Sequence, residues 1–235
     1  PALTCHKPAA SELFESKENK LQCQLCPHTC LLAPGETGRC SVRQNIDGQL
    51  VSTNYGRLTA LTLDPIEKKP LYHFYPGHLI LSVSSFGCNL SCDYCQNWKL
   101  SQGQPDTRYA KPAVVANKLA EAKEACVGVA YTFAEPLVWY EYVLETARLV
   151  HERGAQNVLV TNGFINPEPL DKLLPFLGAA NVDLKGFTDS FYARVCGGKL
   201  QPVRHSIREL VRAGVHVEVT TLIIPGENDG KTELN

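Results

Sequence analysis

The sequence of 235 residues lacks long apolar runs, an excess of charge of either sign, and methionine. No apolar run approaches the roughly 18 residues that a membrane-spanning helix needs, and residues 1–20 have no apolar core of the signal-peptide kind. The formal net charge is −1, so bulk electrostatics favour neither nucleic acid nor an anionic membrane as a partner. We therefore predict a cytoplasmic protein with no nucleic-acid or membrane partner. The absence of methionine has no physical explanation in the sequence.

Cysteine is frequent instead, with 10 residues in the chain. A disulfide framework is one use for so many thiols, but without a secretion signal the spacing favours metal binding. A redox dithiol is disfavoured because each Cys-x2-Cys pair has further cysteines beside it. Most of the cysteines fall into two groups, the first being Cys23, Cys26, Cys30 and Cys40, and the second Cys88, Cys92 and Cys95.

The first group offers four thiolates within reach of one another. Four such ligands suit a closed zinc site, and the turn "PGETGRC" resembles the glycine turns that present a zinc-ligating cysteine. The same ligands would suit an additional iron–sulfur cluster that delivers electrons. The spacing leaves zinc, a cluster and no metal open, and His28 is expected to be a bystander because four ligands are already present.

Three regions differ in composition. Residues 1–62 are rich in turn formers and cysteine, which predicts a small metal-binding module with too few apolar residues to fold alone. Residues 63–78, "LDPIEKKPLYHFYPGH", form a proline-rich connector, in which Lys68, Lys69 and His73 are expected to be solvated. Residues 79–235 form the main domain.

In the main domain, strands alternate with helices. Apolar and β-branched runs predict strands at 79–85, 127–133, 157–163, 181–186 and 215–226. Prolines at helix starts, glycines at helix ends and apolar faces predict helices at 112–126, 135–154, 166–178 and 205–214. Cys126 then lies on an apolar helix face, as a small core residue. The predicted class is α/β, a partial (βα)6-type TIM barrel with five units in the sequence and a sixth cut short at "GENDGKTELN".

Polar residues collect where the predicted strands end, which is where such sheets bind ligands. Three thiolates at the end of the first strand can hold a [4Fe–4S] cluster and leave one iron open to a ligand with an amine and a carboxylate. Glu135 would then accept hydrogen bonds from the amine, Lys185 would pair with the carboxylate, and Tyr94 would pack on a heterocycle. The other strand-end residues are Thr161, Asn162, Asp183 and Thr221.

These motifs resemble a known family. Cys-x3-Cys-x2-Cys with an aromatic residue before the last cysteine resembles the radical S-adenosylmethionine (SAM) superfamily. Within it, "YCQN", "TFAEP", "VTNGF", "VDLKG" and "IIPGEND" resemble the glycyl-radical-enzyme activating proteins, typified by pyruvate formate-lyase activase. "CQLCPHTC…GETGRCSVRQN" and "DPIEKKPLYHF" are more similar still to the AmmeMemoRadiSam group.

The resemblance implies a role for each matching residue. Cys88, Cys92 and Cys95 would bind the [4Fe–4S] cluster, and Glu135 would contact the SAM amino group. Phe133 and Ala134 stand where the superfamily has glycines. Thr161 matches a threonine that activases pair with an aspartate at a cation site, but Val160 precedes it here, so no cation is predicted. The other residues implied to bind SAM are Tyr94, Asn97, Asn162, Asp183, Lys185 and Thr221, with Lys185 also counted as catalytic.

The implied reaction is one-electron reduction of the cluster, cleavage of SAM, and hydrogen abstraction by the 5′-deoxyadenosyl radical. A protein or peptide substrate, as in glycyl radical formation, and a donor such as flavodoxin or ferredoxin are implied. One alternative keeps the chemistry but acts on a small molecule. Another is a non-catalytic scaffold with zinc at both cysteine groups. Cys196 is a structural thiol or, as the sharper alternative, a hydrogen donor to a substrate radical.

Overall fold

The computed structural model describes residues 8–122 and 126–231. Strands and helices are numbered here along the chain. The strands are β1 (Ala9–Ala10), β2 (Phe14–Lys17), β3 (Lys20–Cys23), β4 (Leu31–Leu32), β5 (Arg43–Ile46), β6 (Gln49–Ser52), β7 (Arg57–Leu58), β8 (Ala60–Pro65), β9 (Leu79–Ser84), β10 (Arg108–Tyr109), β11 (Cys126–Tyr131), β12 (Gln156–Thr161), β13 (Ala179–Asp183) and β14 (His216–Thr220).

The helices lie mainly between the later strands. They are α1 (Trp98–Ser101), α2 (Pro112–Glu121), α3 (Tyr140–His151), α4 (Pro167–Leu173), α5 (Asp189–Phe191) and α6 (Leu200–Arg212). Single 3₁₀ turns lie at Ile66–Lys68, Pro136–Trp139 and Leu174–Phe176, and a π-helical turn at Tyr192–Cys196.

The central sheet has the order β14–β13–β12–β11–β9–β8. Five of its strands are parallel and lie side by side in sequence order, namely β9, β11, β12, β13 and β14. Helices separate consecutive parallel strands, as βαβ units require. The mixed α/β class is therefore confirmed, and the part of the chain that the structure describes contains five parallel strands and no sixth.

The helices follow from the expected signals. In α3, Val143, Ala147 and Val150 are fully buried at helical spacing, which is the apolar face predicted from the sequence. The helix predicted at 112–126 was wrong at its C-terminal end, because α2 ends at Glu121 and Cys126 is the first residue of β11. Residues 123–125 of that prediction lie outside the described residues. The last predicted strand is also shorter than expected, since β14 ends at Thr220.

The remaining strand of the central sheet, β8, is antiparallel and comes from the N-terminal part of the chain. It pairs antiparallel with β9 along its whole length, from Ala60 opposite Ser84 to Pro65 opposite Leu79. The predicted division between residues 62 and 63 falls inside this strand. The 3₁₀ turn after it carries Lys69 at its C-terminal end, where the side chain is fully buried rather than solvated as expected.

The N-terminal region forms two small sheets, ordered β1–β6–β5 and β2–β3–β4. Leu21 and Leu50 from these sheets belong to the same core as Tyr131 and Leu159 of the central sheet. None of the helices in residues 8–122 and 126–231 has the length and apolar character needed to cross a membrane.

Candidate functional site

The loop after β9 carries Cys88, Cys92 and Cys95, all three half-buried. It begins at Gly87, whose φ of +95° is in the left-handed region that favours glycine. Leu90 N lies 3.4 Å and Asn162 Nδ2 3.6 Å from Cys88 Sγ, both positioned to donate to it. The side chain of one cysteine is thus already in contact with the end of β12.

Glu135 joins the ends of β11 and β12. Its side chain is buried, and Oε1 accepts hydrogen bonds from Thr161 Oγ1 at 2.6 Å and Leu137 N at 3.0 Å. Oε2 accepts from Asn162 N at 2.8 Å. The Glu135 N–H donates to Gly87 O at 3.3 Å, which ties the same residue to the cysteine loop.

The charge of Glu135 is under two opposing influences. Burial raises the pKa of its carboxyl group to about 7, while the hydrogen bonds from Asn162, Thr161 and Leu137 act in the opposite direction. A carboxyl group with its pKa near neutral pH is stabilised in its ionised form by a cation beside it, because an opposite charge favours that form. The site is therefore suited to bind an ammonium group.

Two asparagines hold the cysteine loop against neighbouring strands. Asn89 Nδ2 donates to Phe164 O at 2.6 Å, and Asn89 Oδ1 accepts from Asn162 Nδ2 at 2.9 Å. Asn97 Nδ2, at the end of the loop, donates to Phe133 O at 3.0 Å. Sequence reasoning missed Asn89, whose only signal is its place within "GCNLSC".

Phe133 has φ +69°, in the left-handed region, although it is not glycine. Such a conformation costs a bulky residue free energy and persists where the surroundings impose it, often at functional sites. The backbone here thus adopts a conformation that glycine favours, at a position where the resembling family has glycine.

The Phe133 ring lies beside a buried charge cluster that sequence reasoning missed. Lys69 Nζ lies 4.6 Å from the ring centroid and 2.9 Å from Asp64 Oδ2. Asp64 also accepts from Lys68 Nζ at 2.7 Å and from Ser82 Oγ at 2.6 Å. Burial alone would raise the pKa of Asp64, but these donors outweigh it and hold that pKa well below the usual range.

Asp183 and Lys185 form an ion pair at the end of β13, with Lys185 Nζ 3.0 Å from Asp183 Oδ2. Burial disfavours the charged ammonium, but Asp183 outweighs it and the pKa of Lys185 is raised. Lys185 also interacts electrostatically with Cys88 and Cys92, so a permanent cation lies near the cysteine loop. Tyr192 Oη accepts a hydrogen bond from Lys185 N at 3.0 Å, which orients the backbone there.

Tyr94, within the cysteine loop, lies close to Cys196. The Tyr94 ring is half-buried, with its centroid 6.5 Å from that of Phe191 and its Oη 3.9 Å from Cys196 Sγ. Cys196 is fully buried, and the side chain of Cys92 lowers the pKa of its thiol. Cys196 is thus part of the cysteine cluster, although it ends a π-helical turn far along the chain.

Thr221 lies just after β14, where its Oγ1 donates to Leu184 O at 2.7 Å. The following loop is held by Asn228, a buried residue whose Nδ2 donates to Lys185 O at 3.0 Å. The sequence signal for Asn228 is its place in "IPGEND". The described hydroxyl contact of Thr221 is with the backbone, and its predicted contact with SAM stays a prediction.

The three cysteines supply the donor atoms that a cluster with one open iron needs. Within residues 8–122 and 126–231, however, no group of three His, Cys, Asp or Glu side chains is arranged to hold a metal ion. Cys95 Sγ, for example, contacts Ser101 Oγ at 3.3 Å. The donor set fits a cluster, and binding would require the cysteine side chains to change rotamer.

The first cysteine group lies together elsewhere. Cys23, Cys26, Cys30 and Cys40 line one cavity together with Val138 of the 3₁₀ turn before α3, and all but Cys30 are buried. His28 lines the same cavity, and its Nε2 is hydrogen-bonded to Asn89 O at 2.7 Å. That it is not a metal ligand stays a prediction.

Known proteins resemble this chain in sequence and in fold. The Radical SAM superfamily model matches residues 82–234. The uncharacterized protein MJ0808 of Methanocaldococcus jannaschii is 42% identical over 220 residues, 92% of this chain and 65% of that protein. Pyruvate formate-lyase 1-activating enzyme of Escherichia coli K12 is 26% identical over 150 residues, 61% of this chain and 60% of that enzyme. The chain thus spans less than two thirds of the length of these relatives.

Among solved structures, a radical SAM methyltransferase from Sphaerobacter thermophilus aligns with a TM-score of 0.52. It is 20% identical, and the alignment covers 68% of this chain and 52% of that one. At this identity the likeness is one of fold. The superfamily match over more than half of the chain shows that this chain belongs to the radical SAM superfamily.

Proposed function

We propose that this chain binds a [4Fe–4S] cluster through Cys88, Cys92 and Cys95 and cleaves SAM reductively. When bound, such a cluster would supply the single electron that breaks the sulfonium bond and yields methionine and a 5′-deoxyadenosyl radical. The observation that supports this most is the attachment of the cysteine loop to two strand ends, through Asn162 at Cys88 Sγ and Glu135 N at Gly87 O.

The chain's own residues would bind and orient the methionyl part of SAM. Glu135 Oε2 accepts one hydrogen bond from the described residues, and a carboxylate oxygen has room for a second. The ammonium group of SAM would take that place and favour the ionised carboxylate. Lys185, beside Cys88 and Cys92, would balance the SAM carboxylate while Asp183 holds its side chain in position.

Tyr94 would line the adenine side of the site. It is half-buried beside Phe191 and lies within the cysteine loop itself, so an aromatic face is available next to the cluster ligands. Asn97 would help by holding the loop end to Phe133 O. Closing the site around the radical excludes competing reactions, which is the protein's part in such chemistry.

We further propose that the hydrogen atom comes from a protein or peptide. This is supported by relatives named as pyruvate formate-lyase activating enzymes, one at 26% identity and one from Clostridium pasteurianum at 23%. A flavodoxin or ferredoxin would then be the electron donor. A small-molecule substrate is the outcome that would replace this part of the proposal.

Anaerobic reconstitution followed by reduction in the presence of SAM tests the chemistry. We expect iron and sulfide uptake with the absorbance of a [4Fe–4S] cluster, and release of 5′-deoxyadenosine. Cys92→Ala should abolish the release, whereas Cys126→Ala should not, because Cys126 begins β11 at the opposite end of the strand from the site. Release by Cys92→Ala, or uptake of zinc in place of iron, would overturn the assignment.

The substrate class has its own readout. Deuterium from a labelled peptide should appear in 5′-deoxyadenosine when the peptide is the substrate. Transfer from a small molecule, with none from proteins or peptides, would reject the protein or peptide substrate while leaving SAM cleavage intact.

A further inference from the structure

The four N-terminal cysteines are brought together by two turns. Cys23 N donates to Cys30 O at 2.9 Å, which closes the turn that carries Cys26. Gly38 N donates to Arg43 O at 2.7 Å and closes the turn that carries Cys40. The two turns face one another across the cavity that all four thiols line. This arrangement comes from backbone hydrogen bonds and holds cysteines that are distant in sequence.

Arg43 provides an independent sign of what the cavity holds. Its side chain is only 1% exposed and lines the cavity. One nitrogen, Nη1, lies 2.6 Å from Glu141 Oε1 on α3, but Nε and Nη2 are buried and have no hydrogen-bond partner in the structure. Buried guanidinium donors without acceptors cost free energy, so an acceptor is expected beside them.

Thiolates bound to a metal ion would be that acceptor. Four thiolates around a divalent cation leave two negative charges in excess, and such a group is stabilised by a buried cation that donates N–H bonds to sulfur. Glu141 is already present to share the charge of Arg43 from the other side. The cysteines and the arginine thus complement one another in charge and in hydrogen bonding.

The number of donors favours a closed metal site, because all four cysteines line the one cavity. A four-cysteine cluster would use the same donors, and iron content distinguishes it from a single ion. Tetrahedral coordination by four cysteines is the closed arrangement of structural zinc.

We propose that Cys23, Cys26, Cys30 and Cys40 bind a single tetrahedral zinc ion and that Arg43 donates hydrogen bonds to the bound thiolates. The thiols would release their protons on binding and rotate to meet the ion. The ion would also support the radical SAM cysteine loop, because a Cβ on Gly87 would come within 2.7 Å of Cys40 O. His28 adds a second link from the cavity to that loop, at Asn89 O.

Metal analysis of a variant that lacks the other cysteine group tests this site. The Cys88→Ala/Cys92→Ala/Cys95→Ala variant, purified with Zn²⁺ and iron present, should contain about one zinc per chain and no iron. Co²⁺ added to its metal-free form should give the visible absorbance and sulfur-to-cobalt charge-transfer bands of tetrahedral thiolate coordination. Adding Cys26→Ser and Cys40→Ser should remove both signals.

Two results would overturn the site: iron with acid-labile sulfide in the triple variant, or neither zinc nor a tetrahedral cobalt spectrum. The triple variant keeps the test decisive even if the serine variants fail to fold. Both outcomes are independent of SAM cleavage, which needs the other cysteines.

The role of Arg43 has a matched control. Arg43→Lys keeps the charge but loses the planar fork, and we expect Co²⁺ affinity to fall by about 10–100-fold. Arg39→Lys should leave the affinity unchanged, because Arg39 lines the same cavity from an exposed position. Equal affinity in Arg43→Lys and the unaltered chain would reject the hydrogen-bonding role.

Discussion

Glu135 has a pKa of about 7 because its carboxyl group is buried, against 4.5 for an ordinary glutamate. Between these two values the folded chain binds more protons than the unfolded chain, so its stability falls as the pH rises. For the chain without cluster or SAM, we expect a loss of about 3 kcal/mol across this window. Urea unfolding at pH 5 and pH 8 measures it.

Glu135→Gln should remove most of this pH dependence, since glutamine does not titrate. Glu168→Gln is the matched control, because the Glu168 side chain is 69% exposed and pairs with Lys172 on the surface of α4. Its pH dependence should equal that of the unaltered chain. A Glu135→Gln variant with the full slope would show that another group titrates in this range.

Lys68 and Lys69 are neighbours with very different surroundings. Both ammonium groups bond Asp64, but Lys69 is fully buried and Lys68 is 57% exposed. Lys69→Met leaves a buried carboxylate with fewer partners, and we expect a loss of about 3 kcal/mol in the free energy of unfolding. Lys68→Met removes an exposed pair and should cost less than about 1 kcal/mol. Similar losses in urea unfolding would contradict the burial of Lys69.

The residues found from sequence and those missed differ in what makes them recognisable. Glu135, Asp183 and Lys185 follow predicted strands, and parallel strand ends meet at one edge of a sheet. Lys69 gave no such signal, because charged residues in a proline-rich connector are ordinarily solvated. Its burial depends on Asp64, in the same connector, and on Phe133, which follows β11 and meets them only in the folded chain.

At the scale of elements, the backbone of the cysteine loop packs directly on the N-terminal region. Gly87 has φ +95°, and a Cβ there would lie 2.7 Å from both Cys40 O and Val42 Cγ1. Gly87→Ala is therefore expected to destabilise the fold by about 1–3 kcal/mol beyond the cost of the left-handed conformation. Less iron per chain after reconstitution should accompany the loss, because the loop that carries Cys88 is displaced.

Gly77→Ala separates the two contributions. Gly77 has φ +80°, but a Cβ there would meet nothing within 4 Å. It should show only the conformational cost of about 1–2 kcal/mol and a normal iron content. Equal stability and equal iron content in the two variants would show that the loop does not depend on this contact.

The elements predicted from sequence were those with a clear apolar pattern, either a continuous run or a helical periodicity. β9 lies within the predicted 79–85, since it is buried on both faces and reads as one apolar run. β8 was not predicted as part of the main sheet, because it is an edge strand that carries exposed Leu63 and ends at Pro65. Proline is tolerated at such an edge, so the pattern resembled a connector.

At the scale of the whole molecule, the N-terminal region and the central sheet share one core and several buried polar contacts. Trp139 Nε1 donates to Asn54 O at 2.8 Å, and Asn54 Nδ2 donates to Phe86 O at 3.0 Å. Arg43 pairs with Glu141 across the same boundary. Because the apolar contacts and the hydrogen bonds both cross it, the two regions are expected to unfold together.

Amide hydrogen exchange under native conditions tests this cooperativity, with β3 and β6 reporting on the N-terminal sheets and β11 and β12 on the central sheet. We expect the slowest amides of both pairs to exchange with the same free energy. Glu141→Gln leaves the buried guanidinium of Arg43 without its charge partner and should lower both values together, by about 3 kcal/mol. Exposed Glu152→Gln should lower neither. A loss confined to β3 and β6 would mean that the N-terminal sheets open separately, and that the cysteine loop keeps its position without them.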